Sequence, residues 1–252
     1  MIVVSEDDHL LVITQHDHAR LAAEVLSLWR GDGLPEHPRR EELLFAVREH
    51  DNGWREADSA PRVDRETGRP HDFMTLPAEA RIELWLRGAG RYAGRRPWAA
   101  LLIARHALAL HRDHRGKAPW DEALFEPLDE LYGALLEGTG ATEEEAEADY
   151  RWLDLADALS LAACSRWEEP RERRGRRFRY RPAAGGAPPE RSGTVAGELE
   201  LDPFPLAGAT TFRVPCRRLP DRRYRGDADL GGELATARWE EVRIRLTPAS
   251  PA

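Results

Sequence analysis

The sequence predicts a mainly α-helical fold: a helical bundle opened by an N-terminal β-hairpin and followed by a small C-terminal β-rich appendage, α+β overall. Three observations predict it. Apolar residues recur at the three-and-four spacing of a buried helix face through most of residues 15–164. Alternating or β-branched segments sit at the two ends. Before the last of them the texture changes, to a charge run from Glu168 to Arg177 and a Gly- and Pro-rich stretch from Ala183 to Gly193. The expected organisation is a helical domain over 1–167, a linker over 168–193 and a β-rich addition over 194–252.

In chain order, Ile2 to Val4 and Leu10 to Ile13 flank the turn-forming Glu6-Asp7-Asp8 and read as a hairpin. Leu21, Ala22, Val25, Leu28 and Trp29 form the inward stripe of a first helix, stopped by Gly31-Asp32-Gly33. A second helix, about Arg39 to Asp51, buries Leu43, Leu44 and Val47 and ends at Gly53. Trp54 to Leu76 has turn chemistry and little periodicity, which predicts a long ordered loop. Helices follow over about Ala78 to Tyr92, Trp98 to Asp113 and Asp121 to Glu137. A last one opens at the capping box Thr142/Glu145 and runs through Cys164. Thr194 to Leu201, Thr210 to Val214 and Glu240 to Leu246 alternate as strands, with a short helix over Asp227 to Ala237.

Composition narrows the function classes. The chain has 252 residues and a formal charge of −8, and acids outnumber bases. All basic residues but Lys117 are arginine, which reads as a coding bias; nucleic acid is not an expected partner. The longest apolar run, Trp98 to Ala104, is far short of the roughly 20 residues of a membrane helix. Acidic residues occupy the start, where a signal peptide is basic, and two cysteines make no framework, so a cytoplasmic location is expected.

The chemistry-bearing pattern is histidine with aspartate. His18 lies three residues before Leu21 and seven before Val25; His50 lies three after Val47 and seven after Leu43, with Asp51 next; His106 lies four after Leu102. Asp157 lies four after Leu153 and four before Leu161. All fall on apolar stripes. Burying an unpaired carboxylate costs several kcal/mol, so inward aspartates call for a cationic or metal partner, and neutral imidazoles are common co-ligands. Asp154 competes with Asp157, but is less well aligned with the stripe. His16, two residues from His18, points to a different side of the helix.

The string Asp17-His18-Ala19-Arg20-Leu21-Ala22, the pair His50-Asp51 and the late Asp157, separated by 32 residues from 18 to 50 and by 106 from 51 to 157, resemble the HD superfamily of metal-dependent phosphohydrolases. Ile13-Thr14-Gln15, Glu49-His50-Asp51-Asn52-Gly53-Trp54-Arg55, Glu66-Thr67-Gly68-Arg69-Pro70 and Arg217-Arg218-Leu219-Pro220-Asp221 resemble a bacterial family of domains of unknown function, number 3891, over almost the whole chain. That second resemblance brings no established activity. The first implies that His18, His50, Asp51 and Asp157 bind a divalent ion, Fe, Mn or Zn, with Asp51 able to bridge two. His106 would serve a second ion, as in the di-iron oxygenases of that superfamily. The resemblance implies a further histidine for that second ion, for which His111 and His114 are the available residues, but in a polar string near a helix end they read rather as surface residues. Asn52-Gly53-Trp54 departs from the aliphatic residue and glycine usual after the HD pair.

The expectation is therefore a metal-dependent hydrolase of a small, phosphorylated substrate. The bound ion would activate water, with Asp51 and Arg55 in the catalytic machinery, Arg20 and Arg48 as weaker phosphate contacts, and the loop from Trp54 to Phe73, carrying Asp58 and Asp64, as a lid or connector. A di-iron oxygenase and a non-catalytic, HD-like regulatory module are the alternatives.

Overall fold

The computed structural model describes residues 1–112, 125–183 and 196–249. Strands β1 (Ile2–Glu6) and β2 (His9–Ile13) pair antiparallel through the two-residue turn Asp7-Asp8, where Asp7 takes a φ of 30°, a conformation aspartate tolerates better than most residues. Helix α1 (Gln15–Ser27) starts immediately, its first turn capped by Thr14 Oγ1, which accepts from the Asp17 N–H at 3.0 Å. Then come α2 (Arg40–Glu49), a 3-10 turn over Asn52–Trp54, the short α3 (Arg55–Ser59), α4 (Ala78–Gly90), α5 (Pro97–His111) and α6 (Glu126–Thr139). Helix α7 (Glu143–Cys164) opens on the reciprocal capping box of Thr142 and Glu145.

Strands β3 (Arg171–Arg173), β4 (Arg176–Pro182), β5 (Gly197–Asp202), β6 (Thr210–Pro220) and β7 (Glu240–Pro248) follow, with α8 (Asp227–Thr236) between the last two. All seven strands form one sheet in the order β1-β2-β6-β7-β5-β4-β3. Pairing is antiparallel except between β5 and β7.

This corrects the expectation of a mainly α fold with a small β-rich appendage. The protein is α+β, 47% helical and 21% strand, and its seven strands curl into a half-barrel. The N-terminal hairpin is the end of that sheet: Leu10 pairs with Leu219, more than 200 residues away. Single-sequence periodicity carries no information about such partners. The charge run expected to be linker also holds β3 and β4. There, arginines alternate with Phe178 and Tyr180, both buried, so a two-residue period lies beneath the charge. The rest of that stretch, 184–193, lies outside the described residues, as does the expected start of α6. Within the expected loop after Trp54, the structure places α3 and an isolated bridge between Val63 and Pro70.

The main core runs without a break from α1, α2 and α7 onto the inner face of the sheet, where Leu11, Phe178, Leu199, Phe212 and Ile244 are buried. The outer face of β2 is buried as well, Leu10 and Val12 packing with Leu230 and Leu234 of α8. Among the described residues no helix is long and apolar enough to cross a membrane.

Candidate metal centre

Four helices converge on one buried polar cluster. His18 comes from α1, His50 from the C-cap of α2 with Asp51 beside it, His106 from α5 and Asp157 from α7. All five side chains are buried. His18 Nε2 lies 2.8 Å from Asp51 Oδ2; His50 Nε2 lies 3.2 Å from Asp157 Oδ1 and 3.5 Å from Asp51 Oδ2; His106 Nε2 lies 3.8 Å from Asp157 Oδ2. Ring centroids are 5.1 Å apart for His18 and His50 and 5.0 Å for His50 and His106.

The outward nitrogens are held separately. His50 Nδ1 donates to the Val47 carbonyl at 2.7 Å, and since a carbonyl only accepts, that proton is fixed. The Ser160 hydroxyl donates to the Asp157 carbonyl at 3.0 Å, so its oxygen accepts from His18 Nδ1 at 3.0 Å. Tyr150 donates to Asp154 at 3.3 Å, so its oxygen accepts from His106 Nδ1 at 3.3 Å. With each Nδ1 carrying the proton, every neutral ring presents a bare Nε2 pair to carboxylate oxygens. His50 Nε2 is buried without an aligned hydrogen-bond partner.

Lone pairs facing lone pairs at these distances need a cation between them, a proton or a metal ion. Burial disfavours charging His50, yet Asp51 and Asp157 push its pKa up to about 9. Burial also raises both carboxylates, but the histidines reverse this: His50 and His18 hold Asp51 down, and His50, His106 and His18 hold Asp157 far below the usual carboxylate range. For His106 burial wins, lowering its pKa to about 4. One atom each from His18, His50 and Asp157 lie within 4.8 Å of one another, and this group could hold a metal ion.

The family model described as "Protein of unknown function (DUF3891)" matches residues 1–221. The chain belongs to this family. No curated protein and no solved structure matches it. The part matched to DUF3891 contains the whole cluster and the chain through β6; α8 and β7 lie beyond it.

A cavity of about 310 Å³ opens onto the cluster of this DUF3891 protein, lined on that side by Asp51, His106 and Asp157. Trp54, Trp85 and Arg81 line it further, and Met74 and Leu110, 56% and 42% exposed, also border it. Arg55 is not among the lining residues: its guanidinium pairs with buried Glu49 at 2.7 Å and lies beside His16. Arg48 pairs with Glu49 as well, and Arg20 lies near Asp17. Asp154 is held by Arg173 and Arg174 and by Tyr150, so the late carboxylate in the cluster is Asp157. Asp58 is buried against the Met1 amine and the Gln15 N–H, and Asp64 accepts from backbone N–H groups of its own turn.

His111, expected at the surface, is buried, its ring 4.0 Å from that of Trp85, and it lines the cavity. A signal for it existed: it lies four residues after Ala107 and seven after Ala104, on a buried stripe of α5. His114 lies outside the described residues. Gln15, one turn before His18, donates to Asp51 Oδ2 at 3.2 Å and is a member of the site that the stripe pattern does not single out.

Proposed function

We propose that the protein is a metal-dependent hydrolase that cleaves a small phosphoester at the His/Asp cluster. One observation carries the reading: three buried imidazoles, each tied through Nδ1 to an outer partner, turn Nε2 toward two buried carboxylates. This is the arrangement by which proteins orient metal-binding histidines. The resemblance of His18, the pair His50-Asp51 and Asp157 to the HD superfamily supports it.

In this reading His18, His50, Asp51 and Asp157 hold a divalent ion, Fe, Mn or Zn, and His106 completes the set or serves a second ion. A bound ion would supply an activated water and polarise a phosphoryl oxygen. Burial of the ligands keeps bulk water from competing, and Gln15 steadies Asp51 from the cavity side. The cavity reaching Asp51, His106 and Asp157 favours an open, reactive centre over a closed structural one. The free, buried Cys164 and Cys216 support a reducing, cytoplasmic location.

The placement of His106 3.8 Å from Asp157 favours, as second reading, a di-iron oxygenase. Elemental analysis of the purified protein, with phosphomonoester hydrolysis and oxygen uptake measured on the same preparation, tests both. Stoichiometric divalent metal with hydrolysis supports the first; two irons with oxygen uptake support the second. A protein that binds no metal overturns both.

A further inference from the structure

The cavity beside the cluster has two unlike sides. On one, Asp51, His106 and Asp157 present the polar centre. Most of the remaining lining comes from Trp54, Phe73, Met74, Trp85, Leu110 and Leu161. The polar atoms that accompany this wall are sealed or committed. The indole Nε1 atoms of Trp54 and Trp85, both ring nitrogens of His111 and the Oε1 of Gln15 are closed off from solvent. The Gln15 amide nitrogen donates to Asp51, and Arg81 has the Asp72 carboxylate as a charge partner. What the wall offers a guest is therefore carbon. Of the four large hydrophobic side chains that stand exposed among the described residues, Met74 and Leu110 both border this cavity. Single exposed apolar residues are ordinary; two on the rim of a cavity that reaches a polar cluster extend its apolar wall outward.

We propose that the substrate acted on at the cluster is amphiphilic: a small molecule whose reacting group meets Asp51, His106 and Asp157 while an aryl or short alkyl group lies against Trp54, Phe73, Trp85 and Leu161, with Met74 and Leu110 at its outer end. Polarity selects this class. A sugar, polyol or nucleoside would exchange its hydrogen bonds to water for a wall that presents neither donors nor acceptors, which is unfavourable for every hydroxyl buried. An apolar group, by contrast, is stabilised by each methylene removed from water. Volume sets the size of the guest. A dry apolar cavity of about 150 Å³ accommodates benzene, so the cavity of about 310 Å³ leaves room for one ring, or a chain of a few carbons, together with the reacting group. The unbranched, polarizable side chain of Met74 adapts to guests of differing outline, so the wall selects apolar character over a single shape. The inference deepens the proposed reaction and rests on it for the reacting group, a phosphoester; the preference for an apolar group rests on the wall alone.

The test is calorimetric titration of the purified full chain with methyl-, propyl- and pentylphosphonate, repeated on Met74→Gln and Leu110→Gln. The compound 3-hydroxypropylphosphonate serves as polar control, and butyrate and hexanoate as chains without phosphorus. Both substituted side chains are exposed, so the variants should fold and keep the metal content of the parent. Affinity should rise about three- to fourfold per methylene from methyl- to pentylphosphonate, and 3-hydroxypropylphosphonate should bind no better than methylphosphonate. Each Gln variant should weaken pentylphosphonate about threefold or more and leave methylphosphonate unchanged. Should one variant fail to fold, the other decides. Affinity independent of chain length, equal affinity for propylphosphonate and its hydroxyl analogue, an undiminished preference for pentylphosphonate in the folded variants, or no binding of any probe overturns the apolar site. Hexanoate favoured over butyrate with exclusion of every phosphonate retains the apolar site and overturns the phosphoester reaction instead.

Discussion

His50 Nδ1 donates to the carbonyl oxygen of Val47, three residues earlier, at 2.7 Å. That single bond dictates what the other side of the ring can do. The last turn of α2 leaves carbonyls without helical partners, and by spending its proton on one of them His50 turns a bare Nε2 toward Asp157 and Asp51. His50→Ala and Asp51→Ala are therefore expected to reduce bound metal, measured by elemental analysis after dialysis, from stoichiometric to background. Helix content by circular dichroism should stay near that of the parent. Full metal retention in both variants would remove His50 and Asp51 from the ligand set.

Metal-free protein should have a stability maximum near pH 6.5. His50, raised from 6.5 to about 9, binds a proton in the folded state that the unfolded chain has released. Its contribution is whole below 6.5 and is lost as pH rises toward 9, by at most about 3 kcal/mol at 1.36 kcal/mol per unit. His106 has the opposite sign: lowered from 6.5 to about 4, it stays neutral in the fold while the unfolded chain takes up a proton, so stability falls as pH drops below 6.5. Asp51 and Asp157, both lowered, add to the loss on the acid side. Urea midpoints in chelator at pH 4.5, 6.5 and 9 measure the curve, and His50→Gln should flatten its alkaline limb. A parent curve rising from pH 6.5 to 9 would contradict the charge state assigned to His50. Metal competes with the same proton, so metal affinity should increase with pH over the window from 6.5 to 9.

His18, His50, His106 and Asp157 were legible in the sequence because each occupies an apolar stripe at helical spacing, a pattern that survives without knowledge of the neighbours, and Asp51 was found beside His50. What surrounds it was not. Arg81 and Trp85 join Asp51 and Asp157 only because α4 folds over the turn at Asn52, a contact between segments that no local period encodes. The sheet was hidden for the same reason, β2 and β6 being far apart in the chain. The β3–β4 hairpin was hidden for another: its solvent-facing arginines outnumber the buried Phe178 and Tyr180, so charge masked the alternation.

That hairpin bears on the site through a chain of contacts. Arg173 and Arg174 hold Asp154; Asp154 accepts from Tyr150; and Tyr150 accepts from His106 Nδ1. Tyr150→Phe removes the acceptor that sets the His106 tautomer while keeping the ring that packs in the core. Metal affinity, measured by competition with a chromogenic chelator, is expected to fall about 10- to 100-fold, the usual effect of losing an outer partner of a ligating histidine. Unaltered affinity would show that His106 stands outside the coordination sphere.

Asn52, which stands in place of the aliphatic residue, and Gly53 together shape the turn after Asp51. A Cβ on Gly53 would sit 1.8 Å from the carbonyl oxygen of Leu84 and 3.1 Å from the backbone nitrogen of Gly88 in the same helix. Asn52 fastens the approach, its amide nitrogen donating to the carbonyls of Glu49 at 2.7 Å and Gly88 at 2.9 Å. The turn carrying Asp51 and the helix carrying Arg81 and Trp85 are thus locked backbone to backbone, with no room for a side chain. Because the obstacle is main chain, relief requires α4 to move, so Gly53→Ala should destabilise by about 3 kcal/mol or more, read from the urea midpoint. Displacing α4 moves the cavity wall but leaves His18, His50, His106 and Asp157 on other helices. The variant, where folded, should keep its metal and lose phosphomonoester hydrolysis. Unchanged stability would mean that the turn and α4 are not in the contact described, and full hydrolysis in a folded variant of lowered stability would show that the α4 wall of the cavity takes no part in the reaction.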